Sequence, residues 1–178
     1  MVRAIWRSYR KPMEPRKHSF PPVVDNDTRL LVLGSLPGQR SLAERRYYAH
    51  PQNQFWRLIS SAAGRDLAAL PYEDRLAALC DAHIGLWDVV ASATRQGSTD
   101  AAMRNIERHD LAALAATLPR LRAIAFNGGT ALRHGVKQLG PAAANYAIVA
   151  LPSSSPLHTV GLATKLPAWE ALRIHLTG

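Results

Sequence analysis

Cysteine is almost absent from this sequence, which contains one such residue, Cys80, among 178. A single thiol excludes an internal disulfide framework and any zinc or iron–sulfur site built from several cysteines. The histidines show no metal-ligand spacing with one another or with Cys80. The sequence therefore predicts no metal centre, and nothing in it indicates a cofactor.

Long hydrophobic runs are also missing. No apolar run approaches the roughly 20 residues that a transmembrane helix needs, and the basic N-terminus lacks the apolar segment of a signal peptide. We therefore expect a cytoplasmic protein without membrane association. The Walker A, GxGxxG and GxSxG patterns are absent. The four lysines lie outside the two candidate loops described below, which argues against Schiff-base chemistry.

Acidic residues are few: 13 Asp and Glu stand against 22 Lys and Arg, for a net charge of +9. Such an excess favours a polyanionic partner, most often nucleic acid, although some small proteins are simply basic. Residues 1–24 contain four prolines and are predicted to form a basic, irregular arm, which either tracks phosphates or is a frayed terminus. Residues 25–178 are predicted to form a single domain.

Short apolar runs alternate with helical patterns along the rest of the chain. Continuous apolar runs of this length are typical of strands buried on both faces. The strands are predicted at 29–33, 83–90, 121–126 and 147–151, and the helices at 54–63, 71–82, 105–116, 130–139 and 165–176. This alternation predicts a three-layer α/β/α domain around a mainly parallel, four-stranded sheet.

Ligands of such sheets bind beyond the carboxyl ends of the strands. Four predicted loops share that edge, 34–54, 88–104, 127–130 and 152–161, and they hold most of the candidate functional residues. Two of them stand out: the loop after Leu33, and the segment LPSSSPLHT at 151–159, which also follows an apolar run.

Each candidate residue has a structural interpretation beside its functional one. Of Tyr47 and Tyr48, one is expected in the core and the other free to stack a flat ligand. Asn53 either caps the helix that follows or acts in the chemistry. Asp88 could contact a ligand or cap a turn, and for Asn127 a helix N-cap is the simpler account.

The same two interpretations apply to the second loop. Ser153, Ser154 and Ser155 either contact phosphate or form a plain turn. His158 could reach a phosphate or a developing anion, although a lone histidine in a loop is more often merely solvated.

Three segments together resemble the uracil-DNA glycosylase superfamily, and most closely its hypoxanthine-DNA (deoxyinosine) glycosylase branch. The turn GSLPG at 34–38 resembles the first superfamily motif. The segment YYAHPQNQFW at 47–56 resembles the YYAHPxNxFW segment of the branch, and LPSSSPLH at 151–158 resembles the second motif. LWDV at 86–89 and FNG at 126–128 add weaker support. The resemblance spans about residues 20–178.

The chain departs from the wider superfamily at two positions that usually carry catalysis. Leu36 stands where relatives have an asparagine, and Ser153 stands where the best-known uracil enzymes have a histidine. The resemblance implies that Asn53 replaces them, either by orienting the attacking water or by binding the base. The implied base pocket comprises Gly34, Ser35, Leu36, Tyr48, Asp88 and Asn127. The implied DNA-contacting loop comprises Ser153, Ser154, Ser155, Pro156, Leu157 and His158, with Leu157 as the wedge.

The resemblance implies a monomeric, monofunctional DNA glycosylase. Such an enzyme flips a deaminated base, hypoxanthine in preference to uracil, out of DNA and hydrolyses its N-glycosidic bond, leaving an abasic site in base excision repair. Three alternatives remain open from the sequence. They are a uracil-specific enzyme, a catalytically silent nucleic-acid-binding module, and a small-molecule α/β hydrolase, the last disfavoured by the charge and the missing nucleophile elbow.

Overall fold

Four parallel strands form the centre of the protein in the computed structural model, which describes residues 14–177. In their order across the sheet these strands are residues 84–88, 30–34, 123–127 and 147–151, and every neighbouring pair is parallel. The predicted fold class is therefore confirmed. In chain order the elements are β1 (Arg16–His18), β2 (Leu30–Gly34), α1 (Gln39–Glu44), α2 (Phe55–Ala63), α3 (Tyr72–Asp81), β3 (Ile84–Asp88), β4 (Val90–Thr94), β5 (Arg104–Arg108), α4 (Leu111–Ala116), β6 (Ala123–Asn127), α5 (Gly129–Leu139), β7 (Ala147–Leu151) and α6 (Leu162–Glu170).

Strand β2 shows why the sheet is covered on both faces. All five of its residues are buried, and successive side chains of a strand point to opposite faces. Leu30 and Val32 pack in one core with side chains of α2, α3 and α6. Leu31 and Leu33 pack in the other core with side chains of α4 and α5. The continuous apolar run thus produces three layers.

A second, antiparallel sheet of order β1-β4-β5 was not predicted. Residues 16–18, expected in an irregular arm, pair with β4, while the first 13 residues lie outside the described part of the chain. The domain boundary at residue 24 stays a prediction. The predicted strand 83–90 is divided, because its end enters β4, and β4 replaces part of the predicted 88–104 loop.

The prediction of a helix over 105–116 is wrong in its first half. Residues 105–108 belong to β5, and the helix begins at Leu111. Only Ile106 of β5 is even partly buried, so this strand carries little hydrophobic signal. The true start is marked by Asp110, whose side chain accepts a hydrogen bond from the N–H of Ala113 at 2.9 Å.

Two further boundaries differ from the prediction. The loop predicted at 34–54 contains the short helix α1, and the last helix begins at Leu162 rather than Lys165. After Glu170 this last helix continues as a 3₁₀ helix over Ala171–His175. No helix among residues 14–177 is long and apolar enough to cross a membrane.

Gly135 in α5 is required by the packing of that helix on the sheet, because a Cβ there would overlap the ring of Phe126. The overlap with the ring is severe, so we expect overpacking in Gly135→Ala to cost about 3 kcal/mol. This exceeds the roughly 1 kcal/mol that alanine gains in helix propensity. Urea unfolding measures this. Gly129→Ala in the same helix is the control, since nothing lies within 4 Å of its Cβ position. Equal stability of the two variants would contradict the prediction.

Candidate active site

The carboxyl ends of the parallel strands open into one cleft of about 620 Å³. Its lining comes from the four loops that the sequence placed at this edge, including residues 34–41, 98–101 and 153–158. Every predicted site residue lines it: Gly34, Ser35, Leu36, Tyr48, Asn53, Asp88, Asn127, Ser153, Ser154, Ser155, Pro156, Leu157 and His158. The structure therefore brings the candidates together, while their individual roles stay predictions.

Tyr48 forms an aromatic wall of the cleft. Its neighbour Tyr47 is 4% exposed and belongs to the core, as expected for one member of the pair. The Tyr48 ring stacks on the Phe55 ring, with centroids 3.8 Å apart and planes 12° apart. Because Phe55 covers one face, the opposite face is the one on which a planar ligand could stack. Burial raises the pKa of the Tyr48 hydroxyl, which therefore stays neutral.

Asn53 combines the structural and functional interpretations. Its Oδ1 accepts a hydrogen bond from the N–H of Phe55 at 2.9 Å, which satisfies a free backbone donor in the first turn of α2. Its own N–H donates to the carbonyl of His50 at 2.9 Å. Nδ2 donates to no group among residues 14–177, so it is available to a ligand in the cleft.

Asn127 joins β6 to the second loop and does not cap α5. Its Oδ1 accepts from the N–H of Ser154 at 2.8 Å, and its Nδ2 donates to Ser154 Oγ at 2.8 Å and to the Tyr48 hydroxyl at 3.1 Å. The N-cap of α5 is Gly128, at φ 97°, so the capping interpretation was wrong. Asn127 instead fixes the position of Tyr48.

In the second loop, residues 153–158, the part that packs against the protein is buried and the tip is exposed. Ser154 is fully buried and its hydroxyl accepts from Asn127, so its side chain holds the loop and does not reach a phosphate. Ser153 and Ser155 are half-buried, and each hydroxyl accepts a backbone N–H within the loop. Leu157 at the tip is 64% exposed. Beneath it, the buried Lys165 donates to the carbonyl of His158 at 3.0 Å.

The GSLPG turn is supported by Arg95, which sequence reasoning did not single out. The Arg95 guanidinium is 1% exposed and donates to the carbonyls of Leu36 and Pro37. Leu36 itself packs in the core and is 6% exposed. Holding the Pro37 carbonyl directs the N–H of the same peptide, that of Gly38, away from Arg95. Arg95 thus supports the turn from behind, and a role of the turn as backbone donor stays a prediction.

Two carboxyl groups lie in the cleft, and only one was predicted. Asp100 accepts a hydrogen bond from Ser35 Oγ at 2.8 Å and lies 3.6 Å from Arg95 NH1. Burial raises the pKa of Asp100. Arg95 and Asp100 lie in a polar stretch without apolar periodicity, which is why no sequence pattern indicated them.

Asp88, the predicted carboxylate, ends β3 and is 3% exposed. Its Oδ2 accepts a hydrogen bond from Ser19 Oγ at 2.6 Å. The pKa of Asp88 is raised to about 7, chiefly by burial and also by the charge of Asp100, whereas the Ser19 hydrogen bond and Arg95 oppose the rise. The Asp88 side chain accepts a hydrogen bond from no backbone N–H among residues 14–177, so it caps no turn there, and its contact with a ligand stays a prediction.

No group of three His, Cys, Asp or Glu side chains that could hold a metal occurs between residues 14 and 177. The chemistry available in the cleft is that of amides, hydroxyls, carboxyls and backbone donors beside an aromatic face. Such a site is suited to a planar, polar ligand.

Comparisons with known proteins give a consistent answer. A family model described as the uracil DNA glycosylase superfamily matches residues 21–173. A hypoxanthine DNA glycosylase of Methanosarcina acetivorans is 38% identical over 159 residues, which cover 89% of this chain and 99% of that protein. A hypoxanthine DNA glycosylase of Methanosarcina barkeri is 43% identical over 113 residues, 64% of this chain and 72% of that protein.

A solved structure is also similar. The solution NMR structure of a uracil DNA glycosylase candidate from Methanosarcina acetivorans superposes with a TM-score of 0.80 at 38% identity. The match covers 91% of this chain and 99% of that one.

Proposed function

This chain belongs to the uracil DNA glycosylase superfamily and is a DNA glycosylase, and from that premise we propose that it removes hypoxanthine from DNA. The observation that carries the proposal is the cleft in which Tyr48, Asn53 and the exposed Leu157 converge. The choice of base is supported by the two relatives named hypoxanthine DNA glycosylase. A cleft of about 620 Å³ has room for a purine.

The enzyme must first extract the nucleotide from the duplex, because the glycosidic bond is hidden within the stack. A mispaired deaminated base costs less to flip, which contributes to selectivity. We propose that the flipped base stacks on the open face of Tyr48 and that Leu157 fills the vacated space. Ser153, Ser155 and His158 lie on the same loop, where they would contact flanking phosphates.

Cleavage of the N-glycosidic bond develops positive charge on the sugar and negative charge on the base. The GSLPG turn and Asn53 both line the cleft, and we propose that backbone donors of the turn, together with Asn53 Nδ2, stabilise the developing anion. Asn53 also orients the attacking water, and the products are an abasic site and the free base. No lysine among residues 14–177 lines the cleft, and we expect no strand cleavage by the enzyme itself.

The deciding experiment is a panel of duplexes that carry hypoxanthine, uracil or xanthine, scored by strand breaks after alkali treatment. We expect the fastest breaks in the hypoxanthine duplex and none without alkali. Faster cleavage of the uracil duplex would overturn the proposed substrate, and breaks without alkali would show lyase activity. Binding that weakens steeply with salt, without base release from any duplex, would indicate a catalytically silent DNA-binding module.

The wedge role of Leu157 has a separate test. We expect Leu157→Ala to slow hypoxanthine release from a duplex about tenfold. Without the leucine side chain the space in the stack stays empty, and the flipped nucleotide returns to it, because restacking and pairing are worth a few kcal/mol. The matched substrate is a single-stranded oligonucleotide, in which there is no stack to refill and the variant should equal the wild type. An equal loss on both substrates would instead show that Leu157 acts on the base or its pocket.

A further inference from the structure

The carboxyl group of Asp88 has one oxygen held by the protein and the other facing the cleft. Oδ2 accepts from Ser19, whereas Oδ1 has no hydrogen-bond partner among the described residues. A Cβ on Gly34 would lie 2.7 Å from Oδ1 and 2.8 Å from the Tyr48 hydroxyl. The absence of a side chain at Gly34 therefore keeps open the space between Oδ1 and the ring on which the base is proposed to stack.

Ser19 holds one oxygen of Asp88 and leaves the other to the cleft. The Ser19 hydroxyl lies 2.6 Å from Asp88 Oδ2 and 3.4 Å from the carbonyl oxygen of Phe20. When Asp88 is charged, the shorter contact directs the Ser19 hydrogen to Oδ2. A proton that Asp88 takes up on Oδ1, the oxygen that faces the cleft, leaves this hydrogen bond intact.

The surroundings of Asp88 hold it near the boundary between its two charge states at neutral pH. The pKa of Asp88 is raised to about 7 by burial and by the charge of Asp100, against the opposing effects of the Ser19 hydrogen bond and Arg95. The other titratable groups that face it are Tyr47 and Tyr48, which burial keeps neutral. A carboxylic acid with its pKa near the working pH is suited to general acid catalysis.

We propose that Asp88 is the general acid of base release, transferring the proton on Oδ1 to the departing purine. This inference rests on the proposed function. As the bond from the sugar C1′ to the base nitrogen breaks, its electron pair stays with the base, and the proton from Asp88 adds to N7 or O6. The base then leaves as a neutral molecule. Water forms the new C1′–O bond and loses a proton to solvent, from which Asp88 is protonated again.

Three polar neighbours of the stacking face, Asn53, Asn127 and Tyr48, are poorer proton donors than Asp88. Asn53 and Asn127 are amides, which donate hydrogen bonds but do not release protons at neutral pH. Burial raises the pKa of Tyr48, which makes it a weaker acid still. Asp100 accepts a hydrogen bond from the Ser35 hydroxyl and lies beside Arg95, whose positive charge favours the deprotonated form of this carboxyl group.

The test is the pH profile of single-turnover hypoxanthine release from a duplex, measured between about pH 5.5 and 8.5. The wild-type rate should fall as pH rises through the pKa of Asp88. Asp88→Asn should lose about 10²- to 10⁴-fold in rate and should lose the pH-dependent fall, with little change in duplex binding. Asparagine still donates a hydrogen bond, so the comparison separates proton transfer from base recognition.

Ser19→Ala provides a second readout that does not depend on replacing the carboxyl group. Ser19 lowers the pKa of Asp88 because its hydrogen bond stabilises the carboxylate. Its removal should therefore raise that pKa and move the fall in rate to higher pH, while most activity at pH 6 is retained. A merely structural role of Asp88 would not move the profile. Asp81→Asn, which removes an exposed carboxylate at the end of α3, should match the wild type throughout.

The outcomes distinguish the two proposals. If the wild type releases hypoxanthine and Asp88→Asn does so at the same rate, or if its rate still falls over the same pH range, Asp88 is not the acid. An unshifted profile in Ser19→Ala would contradict the inference even if Asp88→Asn failed to fold. Absence of hypoxanthine release by the wild type at every pH would overturn the proposed function itself.

Discussion

Asn53→Ala should reduce hypoxanthine release by about 10²- to 10³-fold, the loss typical of removing one positioned donor from a site of developing charge. The residue lines the cleft, and its Nδ2 is not used by the fold among residues 14–177. Duplex binding should change little, because the residues proposed to contact the phosphates and to fill the vacated stack lie on the 153–158 loop and do not include Asn53. Single-turnover base release and a binding titration with the same duplex measure the two quantities.

The alanine variant also removes the acceptor for the N–H of Phe55, which should destabilise α2 by about 1 kcal/mol. Asn53→Asp separates the two roles, since a carboxylate keeps that acceptor but has no N–H to donate. We expect Asn53→Asp to be as stable as the wild type and as inactive as Asn53→Ala. Near-normal base release by the aspartate variant would show that Asn53 serves only to begin the helix.

Gly34→Ala should have an effect of comparable size on activity. Its Cβ would come within 3 Å of both Asp88 Oδ1 and the Tyr48 hydroxyl, so one or both side chains must move. A displacement of about 1 Å in a positioned group can cost a hundredfold in rate. We expect hypoxanthine release to fall by about that factor, with a stability loss of about 1–3 kcal/mol from overpacking.

Gly85→Ala is the matched control for this substitution. Gly85 lies on β3, and its Cβ would come equally close to Val24 Cγ1, at 2.8 Å, and Thr28 Cγ2, at 2.9 Å, neither of which lines the cleft. This variant should lose similar stability but keep its rate of base release per folded molecule. If both variants lost activity in proportion to stability, Gly34 would have no specific place in the site.

The sequence by itself determined the central sheet and the edge at which the site lies. Leu30 to Leu33 and Ala123 to Phe126 are short apolar runs, and a run apolar on both faces can be satisfied only between two helical layers. Once the strands are parallel, their carboxyl ends share one edge. The convergence of Tyr48, Asn53 and the 153–158 loop on a single cleft follows from that topology.

The peripheral sheet could not be found in this way. Strand β5 has four exposed residues out of five and is held by backbone hydrogen bonds to β4. Backbone groups are the same in every residue apart from proline, so such pairing leaves little trace in the sequence. For the same reason the expected helix over 105–116 extended too far toward its N-terminus.

Only the tertiary structure decided which polar side chains meet. Tyr47 and Tyr48 are adjacent in sequence, yet Tyr47 is 4% exposed and packs within the core, whereas Tyr48 packs at the edge of that core. Ser19 bonds Asp88 from 69 residues away, and Arg95 reaches the carbonyl of Leu36 from 59 residues away. A single hydrogen bond between distant residues has no periodicity for a sequence to display. The sequence therefore determined where the site lies, whereas long-range packing decided which oxygen of Asp88 Ser19 holds and which one is left to the cleft.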